Sequence, residues 1–408
     1  MRRHLPGFKQ IANFGIATKL GLIVTALAIP ILALMFVQYQ DRQAATDQAS
    51  AESNGLDYVA AVVPFLNQVQ LHRGLAERVL RGDGAAKANM DRTAAAADAA
   101  LANINELDKK YGGDFKTKDL VAFLNSEWPK ARDIQTSTTD SNTLHNSVID
   151  DGVFPLISTV SNESGLALDP DLENRNLIDA LTSTLPALTE SLSQLRAAGA
   201  GALIARKGLE ASPETKAFVA GQMALANAQA TELSRQLEAA MRGNSRFETD
   251  LRPVVSRSDA SRKAFMDNTN SQIMDAPVLS TTGAEGYFLL GGSAIDYSSE
   301  LLASASDALK ADFSARADKA QQDFSTYGTA SMIGIVLALG LALFISATIT
   351  RPMSHLAEVA DRMSLGDLDV DIDVEGTNEI GQLAESLRRM QASLRSAIER
   401  LRQRRAAA

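Results

Sequence analysis

Two uncharged apolar runs constrain this chain more than anything else in it. One covers 20–37 and the other 329–349, and neither holds an ionisable residue. A helix of about 20 apolar residues matches the hydrocarbon thickness of a bilayer. With residues 16–18 ahead of Lys19, the first run approaches that length. Helices buried inside soluble proteins seldom run so far without a charge, so both runs are expected to span a membrane. Pro30 in the first is tolerated there, because neighbouring groups in a membrane helix re-satisfy the freed backbone.

The flanks orient the spans. Arg2, Arg3, Lys9 and Lys19 precede the first with no acid among them, whereas Asp41, Asp47, Glu52 and Asp57 follow it against Arg42. The positive side stays cytoplasmic, and two spans return the C-terminus to the same side, where Arg351 marks the exit. The apolar core is longer than that of a cleaved signal peptide, so the first run reads as an uncleaved anchor. The net charge is −9; residues 1–19 contribute +4, and from 351 on nine arginines face ten acids, which leaves −12 for the part between. An extracytoplasmic segment that acidic is not a nucleic-acid binder.

Composition points to helix almost throughout. The chain is 45% hydrophobic but only 5% aromatic, rich in Ala and Leu and poor in Pro, which favours helix over strand. It has no cysteine, so there is no disulfide framework and no Cys-based metal site. No cofactor is expected.

Residues 38–328 read as long amphipathic helices, with breaks at Gly82-Asp83-Gly84, Tyr111-Gly112-Gly113, Asp151-Gly152, Leu168-Asp169-Pro170, Ala211-Ser212-Pro213, Gly243-Asn244 and Gly291-Gly292. Asp169-Pro170 and Ser212-Pro213 look like helix starts, a capping residue before a first-turn proline. No useful alternating run suggests a sheet here. The first helix is expected to run from about 16 to 81, and the last from about 294 into the second span. A weak echo links the stretch from Pro64 to Gly74 with that from Pro186 to Arg196, which fits two stacked bundles with one copy each, or two unrelated Ala-rich helices.

Four charged or aromatic positions stand out. A guanidinium on an apolar helix face must find an anion or reach water, so Arg73 and Arg196 are candidates to hold a carboxylate ligand. Both also suit a structural ion pair or a snorkelling side chain. His72 is a weaker ligand candidate, and His145 is too distant in sequence to give metal-ligand spacing. Trp128, the single tryptophan, is expected to pack in the distal part of the bundle.

The phrases Gln70-Leu71-His72-Arg73-Gly74-Leu75, Leu168-Asp169-Pro170-Asp171 and Gln194-Leu195-Arg196 resemble the helical sensor regions of bacterial chemoreceptors and related sensor kinases. Some of these are similar to double four-helix-bundle, or helical bimodular, sensors. That resemblance implies small anions binding between helices.

After the second span the pattern changes. Met353, Leu356, Ala360 and Met363 are spaced at heptad intervals, as are Ile380, Leu383, Leu387, Met390, Leu394, Ala397 and Leu401. Such seams call for helix–helix packing. Between them Gly366 stops the first helix, and Leu368, Val370, Ile372 and Val374 alternate with four aspartates, as an extended connector would. Two short helices per chain imply a homodimer forming a parallel four-helix bundle. The set resembles a HAMP domain through Pro352, Gly366-x-Leu368 and Glu379-x-Gly381, with Asn378 where Asp is common. The resemblance implies that Pro352 and Glu379 couple membrane-helix motion to bundle packing, and that the side chain at Ala360 tunes the core.

The expected organisation is all-α: a cytoplasmic N-terminus at 1–19, spans at 20–37 and 329–349, a helical sensor at 38–328, a HAMP domain at 350–402 and a tail at 403–408. The tail follows directly, His355 has no kinase region behind it, and no catalytic triad, phosphate loop or carboxylate pair stands out. The expectation is a non-enzymatic inner-membrane receptor, sensing a small anionic molecule and acting on a cytoplasmic output protein in trans. The alternatives are the input portion of a split or truncated chemoreceptor or sensor kinase, and a membrane-tethered helical scaffold.

Overall fold

The computed structural model describes residues 14–133 and 135–406, without the side chains of Ile16 and of 404–406. The expectation for Arg2, Arg3 and Lys9 lies outside the described residues. Among these residues the fold is all-α with no strand. The chain divides into two units, Ala44–Lys319 and the pair Met1–Gln43 with Ala320–Ala408.

The helices are α1 (Ile16–Leu80), α2 (Lys87–Tyr111), α3 (Lys118–Arg132), α4 (Thr138–Ser147), α5 (Phe154–Glu163), α6 (Leu172–Asp179), α7 (Leu185–Ala205), α8 (Pro213–Gly243), α9 (Ser245–Thr269), α10 (Ala284–Ile345), α11 (Arg351–Ser364) and α12 (Glu379–Ala406). Wider turns at Val148–Val153, Ala180–Thr184 and Ser346–Thr350 join α4 to α5, α6 to α7 and α10 to α11 without a break. Local chemistry sets the true ends. Ser212 Oγ accepts the Thr215 N–H at 3.2 Å to start α8, and Asn244 Oδ1 accepts the Arg246 N–H at 3.0 Å to start α9. Gly82, at φ +99°, adopts after α1 the left-handed conformation that glycine tolerates best.

Two expected breaks are absent, for one physical reason. Gly152 lies inside the turn joining α4 to α5, and a Cβ there would sit 2.5 Å from Leu124 Cδ2. Gly291 lies inside α10, which therefore starts ten residues before the expected 294, and a Cβ on it would be 2.9 Å from Arg196 Cγ. Both glycines serve close helix approach rather than chain reversal. At Leu168-Asp169-Pro170 the break is real but α6 starts only at Leu172; Asp169 Oδ1 instead accepts the Asp171 N–H at 2.8 Å, forming a turn ahead of the helix.

The larger unit holds two apolar cores. Val59, Val62, Leu66 and Val69 of α1 join Ile104 of α2, Leu124 and Trp128 of α3, and Leu156 and Val160 of α5 in the first. Leu56 and Val63 of α1 join Leu177, Leu192, Leu237, Leu251 and Leu301, from α6, α7, α8, α9 and α10, in the second. Burying each such side chain contributes about 1.5–3 kcal/mol. Because 56–69 of α1 feeds both cores, the two bundles flank one stretch of that helix.

In the other unit, two helices are long and apolar enough to cross a membrane, and neither apolar window is buried by protein. Leu27, Leu34 and Phe36 on one and Val336, Leu341 and Leu343 on the other face outward, as lipid-covered side chains do. Tyr39 meets Phe324 edge-on at 6.0 Å beyond them.

Candidate functional site

The two echoed stretches meet face to face. Arg73 of α1 grips Glu190 of α7 with both ends of its fork, Nη1 to Oε1 at 2.7 Å and Nη2 to Oε2 at 2.9 Å. Nη1 also donates to Asn146 Oδ1 at 2.7 Å, and Nη2 to Ser193 Oγ at 3.2 Å. Glu190 accepts from Gln70 Nε2 at 3.0 Å and Gln194 Nε2 at 2.6 Å. The Arg73 side chain is 2% exposed and that of Glu190 10%, so this is a two-point ion pair out of water. Arg73 Nε and Gln70 Oε1 are buried without a partner.

Beside it lies a histidine pair that sequence separation concealed. His72 Nδ1 and His145 Nε2 are 2.8 Å apart, and His145 Nδ1 is 2.6 Å from the Ser141 carbonyl oxygen. A carbonyl only accepts, so His145 carries its proton on Nδ1, and His72 Nδ1–H donates to the bare His145 Nε2. That leaves His72 Nε2 as an acceptor, buried and without a partner. Burial pushes His72 down to about 4 and, helped by the charge His72 would carry, pushes His145 down to about 3, so both rings are neutral near pH 7. Trp128 meets His72 at 5.3 Å and Phe65 at 5.9 Å, and its indole N–H donates to Asp98 at 2.7 Å. Among the described residues no group of three or more His, Asp or Glu could hold a metal ion.

Arg196 is sealed between α1, α7 and α10. Its guanidinium lies 4.7 Å over the Phe288 ring, and Nη2 donates to the Gln70 carbonyl at 3.3 Å, while Nε has no partner. Burial pushes it down to about 10, with Arg73 adding to the shift; it stays charged at neutral pH, held by a ring face and a carbonyl. Burial also pushes the Asp296 carboxyl up, although Arg196 pulls the other way.

Of the three expected ligand contacts, Arg73 alone lines the adjoining cleft, an opening of about 410 Å³ between α1, α4, α7 and α8. Its walls include Glu77, Asn142, Asn146, Gln194 and Arg206, and its floor is small, with Ala198 and Ala202. His72 points into the first core and Arg196 toward α10. Arg81, on the rim, is held by Glu77 Oε1 at 2.5 Å. The cleft was not legible in advance, because its walls come from four helices far apart in sequence.

The relay region has its own geometry. Leu356, Val359 and Met363 of α11 pack with Val370, Ile372 and Val374 of the connector and Ala384 of α12. Asp369, Asp371 and Asp373 are exposed, so the alternation works as expected. Val359, outside the anticipated seam, is buried, while Met353 is exposed and Ala360 half-buried. Gly366, at φ +94°, turns the chain out of α11. Helix α12 satisfies the connector backbone: Gln391 Nε2 donates to the carbonyls of Leu368 and Val370 at 3.0 and 2.7 Å, and Arg388 Nη2 to that of Val374 at 2.6 Å. Pro352 lies in the first turn of α11, and Glu379 is exposed in the first turn of α12. The Gly381 N–H donates to Asn378 Oδ1 at 3.0 Å, so Asn378 does the capping work for which Asp is common. Replacing it by Ala should destabilise α12 by about 1 kcal/mol and Asp should restore it. Amide exchange across 379–382 reads this, and equal protection in all three proteins would refute it.

Comparison with known proteins agrees with this geometry. The HAMP domain family matches residues 344–396. Curated relatives include methyl-accepting chemotaxis protein TlpB of Bacillus subtilis, 44% identical over 66 residues, which is 16% of this chain and 10% of that protein. Methyl-accepting chemotaxis protein I of Escherichia coli is 45% identical over 62 residues, 15% of this chain and 11% of its own length. A protein of Acetivibrio thermocellus that carries the name of a sensory transducer is 40% identical over 84 residues, 20% of this chain and 15% of that protein. The matched part thus spans well under a fifth of each relative. No solved structure matches the chain significantly. The chain contains a HAMP domain and is chemoreceptor-like.

Proposed function

We propose that this HAMP-bearing, chemoreceptor-like chain is a non-enzymatic transmembrane signal transducer of the inner membrane, with both termini cytoplasmic, and that a small carboxylate enters the cleft beside Arg73. The observation that carries the reading is a buried ion pair between α1 and α7 with one edge open to a polar cleft. An incoming carboxylate would compete with Glu190 for the Arg73 guanidinium and recruit Asn146 and Gln194. Any shift of α1 against α7 that followed would act on a helix that contains an apolar run. Arg196 and His72 serve here as packing neighbours that fix the height of Arg73. The HAMP region would act as a homodimer: Leu383, Met390, Leu394 and Leu401 are exposed on α12, the seam residues that a second copy would cover. A cytoplasmic protein would receive the output.

The test is a thermal-shift screen of the full chain in detergent against small carboxylates and amino acids, with Arg206→Gln and Ala198→Phe as cleft variants. A ligand specific for the folded form raises the midpoint, by about 2.7 kcal/mol of stabilisation at a hundredfold excess over Kd. Ala198→Phe should abolish the shift by filling the cleft, and Arg206→Gln should weaken it. A shift that survives Ala198→Phe would place the ligand elsewhere, and no shift with any compound would remove direct sensing of this library.

A further inference from the structure

Where α1 and α10 pass 164–171, the crossover that joins α5 of the first bundle to α6 of the second, charge is distributed unequally. The side chains of Glu52 on α1 and Asp169 on the crossover are each 0% exposed, and one guanidinium, Arg316 of α10, serves both. Arg316 Nη1 donates to Asp169 Oδ2 at 3.0 Å and to Asp171 Oδ2 at 3.4 Å, and Nη2 donates to Glu52 Oε2. Gln48 Nε2 donates to Glu52 Oε1 at 2.7 Å. The other charged groups nearby are committed: Lys310 of α10 pairs with Asp57 of α1, and Asp312 of α10 accepts from Asn174 at 2.9 Å and Asn244 at 3.2 Å. With every carboxylate ionised, Glu52, Asp169 and Asp171 face a single cation. Two of those charges are out of water, and an unbalanced buried charge is unfavourable unless it finds a partner or a proton.

We propose that Glu52, Arg316 and Asp169 form a proton-operated clasp between α1, α10 and the crossover, closed when Glu52 is protonated, with the Gln48 amide turned so that its oxygen accepts the Glu52 proton, and loosened, with entry of water, when Glu52 is ionised. The geometry sets the direction, since loosening is the route by which a charged Glu52 regains hydration. Burial pushes the Glu52 carboxyl from 4.5 up to about 7, against the pull of Gln48 and Arg316, which puts the change in the neutral range. The folded chain therefore holds a proton that the unfolded chain has already lost. Stability from this group is greatest at acid pH, falls as pH rises from 4.5 to about 7, and is level above that. The clasp joins the two helices that contain the apolar runs, so it is a second input, independent of the cleft.

The chain has no cysteine, so spin labels on Ser50→Cys and Ser314→Cys, both exposed, report the α1–α10 distance in the full chain in lipid nanodiscs. Between about pH 8.5 and about pH 6 the distance distribution should narrow, with a midpoint near Glu52's own. In Glu52→Gln it should stay narrow at both, and Asp169→Asn, which removes a neighbouring negative charge, should move the midpoint to lower pH. A distribution that ignores pH in the unmodified site, a pH response that persists in Glu52→Gln, or an unmoved midpoint in Asp169→Asn would each overturn the clasp.

Discussion

Glu190→Ala lowers the stability of the helical domain by about 3–5 kcal/mol, the usual consequence of removing one partner from a buried ion pair. The loss exceeds the worth of the pair itself, because Arg73 is then left in the interior with no acid bonded to it. Gln70 and Gln194 lose an acceptor as well. The paired change Arg73→Met with Glu190→Met should recover most of the loss, since apolar replacement of both partners is often neutral or stabilising. Chemical unfolding of the full chain in detergent, followed by helix signal, measures all three proteins. If the single and paired changes cost the same, the electrostatic account fails and packing alone explains the site.

Gly381→Ala should uncouple the relay. A Cβ at this position would lie 1.9 Å from the Gly376 carbonyl oxygen, a backbone atom that cannot rotate away. The connector must move, and with it the capping bond from Gly381 to Asn378 and the carbonyls held by Arg388. Overpacking against backbone sits at the upper end of the usual range, about 3 kcal/mol. Limited proteolysis should then cut within 367–378 at a rate at least tenfold higher, while helix content of the larger unit is unchanged. Equal cutting rates would mean that the connector tolerates the methyl group and that glycine here has no steric role. By contrast Gly376→Ala, where the closest atom is the Asn378 side-chain oxygen at 3.1 Å, should be far milder.

The parts of this protein legible in its sequence are those in which the deciding contacts are close along the chain. An uncharged run of apolar residues, a heptad seam, a left-handed glycine after α11 and an alternating connector each announce themselves locally. The central site does not, because Arg73 and Glu190 are 117 residues apart and His72 and His145 are 73 apart. Arg73 and Arg196 could be singled out as guanidinium groups on apolar faces, but not the carboxylate that one of them holds or the aromatic ring that the other faces. Gly152 and Gly291 misled because glycine marks both chain reversal and close approach, and only the neighbouring helix distinguishes the two. Val359 was missed because the heptad count followed Ala360, while the connector packs on the adjacent ridge of α11.

Helix α1 supplies side chains to both cores over a single stretch, and this forbids modularity. Neither bundle is expected to be a foldon of its own, since each uses a wall that the other also needs. Native-state exchange should therefore show the amides of both cores opening together, with one common free energy. A chimaera that grafts only one bundle onto another receptor inherits half an interior, so recombination would have to carry the whole of 44–319 as a unit.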